Sequence, residues 1–174
     1  MIQAVFLDRD GTLVKDYPDS DWSNVLHLDI FPDTISSLKR VPTKYKLFIV
    51  TNQYLIGEGI ITFDRFLTTH REFMSVLKQS GIDIEQTYFC PHPRSISCGC
   101  HKPETGMIQQ CLTNYDIDVS RSYFIGDSSG DISLAHTIGC KSIAVRDYAS
   151  KVQPTHYSET LAEAVTFIQK DQTP

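Results

Sequence analysis

Short apolar runs alternate along the 174-residue chain with stretches whose apolar residues recur every three or four positions. The runs end abruptly in polar residues, which is typical of strands buried in a parallel sheet. The three- and four-residue spacing is typical of helices with one apolar face. The pattern predicts strands at residues 4–7, 45–50, 86–89, 122–125 and 141–145, and helices at 62–80, 104–115, 131–138, between Pro32 and Pro42, and from a capping box at 160–163 onward.

This alternation predicts a doubly wound, Rossmann-like α/β fold with a mostly parallel sheet and helices on both faces. No repeat, linker or large inserted cap domain interrupts the pattern, so residues 1–174 are expected to form a single domain. Residues 15–29 are expected to be irregular, and residues 54–61 to form a flexible loop around Gly57 and Gly59. The last four residues are predicted to fray.

The composition and charge of the chain argue against a nucleic acid or a membrane as its binding partner. The chain has 41% hydrophobic residues and a net charge of −5, and no basic stripe is present to bind the phosphates of a nucleic acid. No apolar run reaches membrane-spanning length, and the first residues lack the basic start of a signal peptide. We therefore expect a cytoplasmic protein with a small-molecule partner, no nucleic acid and no membrane. The oligomeric state stays open, with a monomer favoured.

The first predicted strand ends at two carboxylates, Asp8 and Asp10, followed by Gly11 and Thr12. Ligands of α/β sheets bind beyond the carboxyl ends of the strands, so these acids are placed for chemistry. Alternation along an extended chain predicts that Asp8 and Asp10 point the same way and Arg9 the opposite way. Two like charges this close favour a bound cation such as Mg²⁺. The alternative is an ordinary Asp-Gly turn.

Other polar residues follow the later strands. They are Thr51, Asn52, Lys102, Asp127 and Asp131. Because parallel strands place their carboxyl ends on one edge of the sheet, we expect these side chains to meet the two acids there. Carboxylates for a divalent cation beside donors for an anion suit phosphate chemistry.

Four motifs occur in a fixed order: Asp8-Arg9-Asp10-Gly11-Thr12, Thr51-Asn52, Lys102-Pro103, and Gly126-Asp127 followed by Asp131. This set resembles the four motifs of the haloacid dehalogenase superfamily of phosphatases, over about residues 4–146. Within that superfamily, the chain resembles the group containing histidinol-phosphate phosphatase and D,D-heptose 1,7-bisphosphate phosphatase. The features shared with this group are Leu-Asp-Arg-Asp-Gly-Thr, Val-Thr-Asn-Gln and the cysteine loop before Lys102.

The resemblance implies a covalent mechanism. Asp8 would be the nucleophile that forms an aspartyl-phosphate. Asp10 would protonate the leaving alcohol and then accept a proton from the hydrolytic water. A catalytic Mg²⁺ would be held by the Asp8 side chain, the Asp10 backbone carbonyl and Asp127.

The resemblance also implies a set of phosphate-binding residues, namely Thr51, Asn52 and Lys102, helped by backbone N–H groups near Asp10 and Gly11. Asp131 would orient Lys102 or a metal-bound water. Its alternative is a plain acid in the first turn of a helix, where the helix dipole favours negative charge.

A cysteine-rich loop at residues 90–100 is the second candidate site. It contains three cysteines and a histidine, Cys90, His92, Cys98 and Cys100. This set matches a tetrahedral structural zinc site and resembles the zinc loop of the same phosphatase group. The alternative is free thiols beside an incidental histidine. A metal here would stiffen the loop and position His101 and Lys102, and the thiols indicate a reducing compartment.

The sequence leaves the substrate open. Gly57-Glu58-Gly59 and His101 stand where the heptose-bisphosphatase pattern has arginines, which removes charge that a second phosphate would bind. By contrast, residues 102–107 resemble the heptose enzymes, whereas the cysteine spacing resembles histidinol-phosphate phosphatase. Trp22 could line the cleft or pack inside the protein.

The sequence therefore predicts a Mg²⁺-dependent phosphatase that hydrolyses a small soluble phosphate monoester. Candidate substrates are a sugar phosphate such as heptose bisphosphate, and histidinol phosphate. The alternatives are a phospho-acceptor signalling module of the receiver type and a nucleic-acid 3′-phosphatase. A second acid at Asp10 argues against the first, since a store of phosphate needs no group that turns it over. The acidic balance argues against the second.

Overall fold

The computed structural model describes residues 1–171. Six strands form one all-parallel sheet in the order β3-β2-β1-β4-β5-β6. The strands are β1 (Gln3–Leu7), β2 (Tyr45–Asn52), β3 (Ile84–Cys90), β4 (Tyr123–Gly126), β5 (Lys141–Val145) and β6 (His156–Ser158). The helices are α1 (Thr34–Leu38), α2 (Tyr54–Gly57), α3 (Phe63–Gln79), α4 (Gly106–Asn114), α5 (Ser129–Ile138) and α6 (Leu161–Lys170), with 3₁₀ turns at Asp19–Asn24 and Val119–Arg121.

The strand order confirms the doubly wound fold. The chain starts at the centre with β1, moves outward through β2 and β3, and returns to the other side of β1 for β4. The strand order therefore reverses beside β1, which has β2 on one side and β4 on the other. In such sheets, ligands bind at this point, in the crevice outside the carboxyl ends of the strands. Within residues 1–171 no cap domain is inserted into the sheet.

Helices cover both faces of the sheet because β1 alternates its apolar side chains. Val5 and Leu7 belong to one core, which includes residues of α1, α3 and α6. Ala4 and Phe6 belong to the other core, built with residues of α4 and α5. The two-residue period of an extended strand thus divides one apolar run between two cores.

All five predicted strands are present, but β6 was not predicted. Strand β6 has only three residues, and its one buried residue is the polar Ser158. It therefore has no apolar run that would predict a strand. The last four residues were predicted to fray. Asp171 ends α6, and residues 172–174 lie outside the described part of the chain.

The prediction of a flexible loop at residues 54–61 is wrong in part. Tyr54–Gly57 form the short helix α2, and Leu55 and Ile61 are buried in a third apolar cluster. Trp22 is buried in the same cluster, and its Nε1 donates hydrogen bonds to Asp16 Oδ1 and the Tyr17 carbonyl. Tertiary packing therefore orders these connections, and Trp22 packs rather than lining an open cleft.

No helix among residues 1–171 has both the length and the apolar character needed to cross a membrane.

Candidate active site

The carboxyl ends of β1, β2 and β4 bring the predicted site residues together. The Asp8 backbone N–H continues the β1–β4 ladder by donating to the Ile125 carbonyl at 2.9 Å. Thr51 is the penultimate residue of β2, and Asp127 directly follows β4. The parallel register therefore places these three positions on one edge of the sheet, as predicted.

Lys102 is the electrostatic centre of this edge. Its Nζ lies 2.5 Å from Asp8 Oδ1, 2.7 Å from Asp131 Oδ1 and 2.8 Å from the Val50 carbonyl. Lys102 is 4% exposed and Asp131 is fully buried. Burial alone would lower the pKa of Lys102, but the carboxylates of Asp131 and Asp8 outweigh it and raise that pKa. The ammonium therefore stays charged and uses its three protons on these partners.

Three carboxylates lie close together here, and two of them, Asp8 and Asp131, contact the ammonium group. Single oxygens of Asp8, Asp127 and Asp131 all lie within 4.8 Å of one another. Burial, together with the neighbouring Asp131 and Asp127 charges, raises the pKa of Asp8 well above its usual value, against the effect of Lys102. Burial and Asp131 raise the pKa of Asp127 to about 6. This excess of buried negative charge, carried by hard oxygen ligands, fits a divalent cation such as Mg²⁺.

The acid cluster makes the stability of the metal-free protein depend on pH. Because the pKa of Asp127 rises on folding from 3.8 to about 6, the folded state binds a proton between these values that the unfolded state lacks. Ionised Asp127 thus destabilises the fold above pH 6, and this cost disappears as the pH falls toward 4. In EDTA, Asp127→Asn is expected to stabilise the protein at pH 7.5 by on the order of 2 kcal/mol, and by less at pH 5. Urea unfolding of both proteins at the two pH values measures this; a pH-independent difference would contradict it.

Two glycines allow the close approach of these acids. Gly11 has a φ of +84°, and a Cβ there would lie 2.1 Å from Asp127 Oδ2. A Cβ on Gly126 would lie 2.3 Å from Asp131 Cγ. Next to Gly11, the Thr12 hydroxyl donates to Asp127 Oδ1 at 3.0 Å and orients that carboxylate. Thr12 is thus a supporting residue, and its place in the first motif was the signal that could have indicated this role.

Asp10 lies outside the acid cluster and is held by Arg9. Arg9 Nε and Nη2 donate to Asp10 Oδ1 and Oδ2, each at 2.9 Å, and Gln53 Nε2 donates to Oδ2 at 2.6 Å. The prediction that Arg9 points away from Asp10 is therefore wrong. Strand β1 ends at Leu7, and the Arg9 carbonyl accepts from the N–H groups of the following turn, so the alternation of an extended strand no longer applies.

Thr51 and Asn52 serve different neighbours. The Thr51 hydroxyl is buried and accepts a hydrogen bond from Gln53 Nε2 at 3.0 Å. The Asn52 side chain accepts from the Lys102 backbone N–H at 2.9 Å and donates to the Lys102 carbonyl at 3.3 Å. Asn52 therefore positions the backbone of Lys102, and its contact with phosphate stays a prediction.

Asp131 was predicted either to orient Lys102 or to be an acid in the first turn of a helix, and its contacts fit both roles. The Ser128 backbone N–H donates to Asp131 Oδ2 at 3.0 Å and the Asp131 backbone N–H donates to the Ser128 hydroxyl at 3.4 Å, which together form the capping box of α5. The Ser128 hydroxyl also donates to Asp131 Oδ2 at 2.6 Å. Asp131 Oδ1 contacts Lys102. One carboxylate thus begins the helix and orients the lysine.

The zinc-loop residues form a compact cluster at the edge of this site. Cys90 Sγ lies 3.5 Å from Cys98 Sγ and 2.9 Å from Cys100 Sγ, and His92 Nδ1 lies 3.2 Å from Cys100 Sγ. A tetrahedron with Zn–S bonds of about 2.3 Å has edges of about 3.8 Å, so the four atoms approach that geometry. The donor set therefore fits zinc. The remaining cysteines, Cys111 and Cys140, are buried in the core.

An arginine of the zinc loop balances the acidic loop at residues 57–59. Arg94 Nε lies 3.0 Å from Glu58 Oε1, and the same guanidinium pairs with Asp19 and lies 4.0 Å from the centre of the Tyr54 ring. The sequence indicates negative charge in this loop and gives no sign that Arg94 reaches it. The charge of Glu58 is matched by a residue far away in the chain.

His101 directly precedes Lys102, and its imidazole centre lies 6.0 Å from the centre of the Tyr54 ring. Burial, together with the charges of Lys102 and Arg94, lowers the pKa of His101. The residue that replaces an arginine of the heptose pattern is therefore uncharged at neutral pH.

Comparisons with known proteins agree with this fold and show the family. The family model described as HAD-hydrolase-like matches residues 99–164. The Probable D-glycero-D-manno-heptose-1,7-bisphosphate 7-phosphatase of Thermoplasma volcanium is 39% identical over 127 residues, which cover 72% of this chain and 86% of that protein. The histidine biosynthesis bifunctional protein HisB of Blochmanniella floridana is 38% identical over 146 residues, 81% of this chain. The chain spans only 40% of that bifunctional protein.

A solved structure shows the same fold. The D,D-heptose 1,7-bisphosphate phosphatase from B. bronchiseptica, complexed with magnesium and phosphate, superposes with a TM-score of 0.86, at 22% identity, over 98% of this chain and 99% of that one. The chain is thus a hydrolase of the haloacid dehalogenase superfamily. Within it, the chain belongs to the phosphatase group that includes the heptose-bisphosphate phosphatases and the HisB proteins.

Proposed function

We propose that this chain is a Mg²⁺-dependent phosphatase that hydrolyses a small phosphate monoester through an aspartyl-phosphate. The observation that carries the proposal is the buried contact between Lys102 Nζ and Asp8 Oδ1 inside a cluster of three carboxylates. An acid held this way has an attacking oxygen and a neighbouring cation for the phosphoryl group.

The residues act in two steps. Asp8 attacks phosphorus, so that its bond to phosphorus forms as the bond to the leaving oxygen breaks, and Asp10 protonates that oxygen. Water then attacks phosphorus while Asp10 accepts its proton, the bond between phosphorus and the Asp8 oxygen breaks, and inorganic phosphate leaves with Asp8 restored. Thr51 and Lys102 bind the phosphoryl oxygens. Asp8, the Asp10 backbone carbonyl and Asp127 would hold Mg²⁺, which neutralises phosphate charge when bound.

There are two candidate substrates: heptose bisphosphate, which the name of a relative gives, and histidinol phosphate, which the resemblance of the sequence motifs implies. Arg94, within the zinc loop, is a donor that suits a second phosphate. Asp16, whose pKa is raised by burial and by the nearby Asp10, and Asp19 are acceptors that suit an ammonium group. The two substrates would therefore be bound by different residues of the same region.

A phosphate-release screen with purified protein and Mg²⁺ tests the function and separates the substrates. We expect turnover of at least one of heptose bisphosphate and histidinol phosphate, and no turnover in EDTA. Arg94→Gln should raise KM for a bisphosphate more than for histidinol phosphate, whereas Asp16→Asn should do the reverse. A wild-type protein that releases no phosphate from sugar phosphates, histidinol phosphate or nucleotides would contradict the proposal.

The position of Asp10 also argues against a phosphate-storing receiver module. Its carboxylate is held beside Thr51 through Gln53, where it can act on a bound phosphoryl group. Acetyl phosphate treatment is therefore expected to give a short-lived phosphoprotein. A phosphoprotein that persists for hours would favour the signalling module.

We propose that Cys90, His92, Cys98 and Cys100 hold one structural Zn²⁺. With four protein ligands no position stays open for water, so the metal orders the loop that leads to Lys102. Metal analysis of purified protein should give about one zinc per chain. Cys98→Ser should lose most of this zinc and lower the melting temperature, whereas Cys140→Ala, in the core, should keep it. Zinc-free wild-type protein whose thiols all titrate would contradict the site.

We further propose that residues 1–174 act as one domain in the cytoplasm, since a reducing compartment keeps the zinc-loop thiols available. The oligomeric state stays a prediction, with a monomer favoured.

A further inference from the structure

Arg9 is the largest of the fully buried side chains, with an exposed fraction of 1%. Its only ion-pair partner among residues 1–171 is Asp10, the next residue in the chain. Burying a guanidinium is costly unless it is paired and hydrogen-bonded, and Arg9 Nη1 has no hydrogen-bond partner in this part of the chain. A charge kept at this cost, beside the proposed acid–base residue, calls for a functional reason.

The hydrogen bonds of Asp10 supply that reason. A carboxylate has about four acceptor positions, two on each oxygen. Oδ2 uses both of its positions, for Arg9 Nη2 and Gln53 Nε2. Oδ1 uses one, for Arg9 Nε, and the Asp10 side chain is 15% exposed. One acceptor position of Oδ1 is therefore left for a proton from solvent or substrate.

From this geometry we infer that Arg9 is a positioning residue that fixes the Asp10 carboxylate and directs that single free acceptor position of Oδ1 to the reaction. This inference rests on the proposed phosphatase function. Arg9 itself does not touch substrate, because its guanidinium is enclosed by protein. Its effect on turnover must pass through Asp10.

Helix α3 keeps Arg9 in place. The guanidinium lies 5.3 Å from the centre of the Phe66 ring, and Phe66 stacks on His70 with ring centres 5.5 Å apart. Burial and the charge of Arg9 lower the pKa of His70 to about 4, so His70 is neutral at pH 7 and offers Arg9 no competing charge. The α3 side chains next to Arg9 are therefore aromatic and uncharged, and within residues 1–171 the carboxylate that pairs with it is Asp10.

The planar fork of arginine is needed for this contact. Two parallel N–H groups fix the rotation of a carboxylate, whereas a lysine ammonium is a point charge that leaves the rotation free. Charge alone therefore should not restore the function of Arg9.

The test is a double-mutant cycle on the full chain with Mg²⁺ and p-nitrophenyl phosphate. Arg9→Met is expected to lower kcat about 100-fold, the scale of one acid–base group, with KM changed less than about threefold. Arg9→Lys should lower kcat at least about tenfold. In the Asp10→Asn background, either Arg9 substitution should change the remaining rate less than about twofold, because the residue it acts through is gone.

Rescue gives a second readout. Arg9→Ala should recover activity when guanidinium is added at millimolar concentration, and Asp10→Asn should not. The control variant is Arg40→Met, an exposed arginine that pairs with α6, which should keep wild-type kcat. Circular dichroism identifies variants that do not fold. If Arg9→Met does not fold, Arg9→Lys, which keeps a buried positive charge beside Asp10, replaces it in the double-mutant cycle.

Wild-type-like kcat in folded Arg9→Met or Arg9→Lys would overturn the inference. Equal losses in the wild-type background and in the Asp10→Asn background would also overturn it, since they would indicate a general structural role. Failure of the proposed function has a different signature, because the wild-type protein would then release no phosphate in the same assay.

Discussion

Replacing Asp8 with asparagine is expected to reduce phosphate release by about 10⁴-fold or more, because an amide cannot attack phosphorus. The fold should survive. Asparagine has the same shape, and burial with neighbouring carboxylates already raises the pKa of Asp8, so the site disfavours the charge that the substitution removes. Lys102 keeps Asp131 and the Val50 carbonyl as partners.

Phosphate release and urea unfolding in EDTA measure the two parts of this prediction. The variant should be at least as stable as the wild type, since it relieves repulsion with Asp127 and Asp131. Asp64→Asn, which changes an exposed acid in the first turn of α3, is the matched control and should keep full activity. Activity that persists in folded Asp8→Asn would remove Asp8 as the nucleophile.

Replacing Lys102 with methionine is expected to cost about 3 to 5 kcal/mol of stability and to abolish turnover, because it leaves buried carboxylates without their cation. Asp8 and Asp131 both lose their ion pair, and the uncharged side chain cannot bind a phosphoryl oxygen. Few single substitutions in this chain should destabilise it as strongly.

Urea unfolding at pH 7.5 in EDTA measures this loss, with Lys151→Met, at an exposed lysine, as the control. Adding Asp8→Asn to Lys102→Met should recover part of the stability, since one unpaired charge is removed. Mg²⁺ should stabilise Lys102→Met more than the wild type, because the cation compensates a larger excess of negative charge. A Lys102→Met protein as stable as the wild type would show that the ion pairs do not support the fold.

The meeting of the acids at one edge could be predicted because it depends on connectivity. Asp8 and Asp127 follow buried strands of a parallel sheet, and such strands carry their next residues to one edge whatever surrounds them. Lys102 lies beyond the cysteine loop that follows β3, and both its place after a strand and the order of the motifs predicted that it belongs there. In the structure, Lys102 Nζ lies 2.5 Å from Asp8 Oδ1.

Local patterns did not indicate the contacts that distant parts of the chain make with residues 54–58. Residues 54–57 form a helix whose Leu55 is buried in the same apolar cluster as Trp22, which is distant in the chain. Glu58 is neutralised by Arg94, 36 positions later. Neither fact is contained in the spacing of nearby residues.

The sequence alone determined the α/β class, the alternation of strands and helices along the chain, the acids at the tips of the strands and the candidate ligand set of the cysteine loop, because each follows from local periodicity or from residue type at a fixed spacing. Tertiary structure alone decided which donors hold each acid. Arg9 turns onto Asp10 because the chain leaves the extended conformation after β1. Asn52, still the last residue of β2, contacts the backbone of Lys102 because a segment distant in the chain packs beside it, which no local pattern indicates.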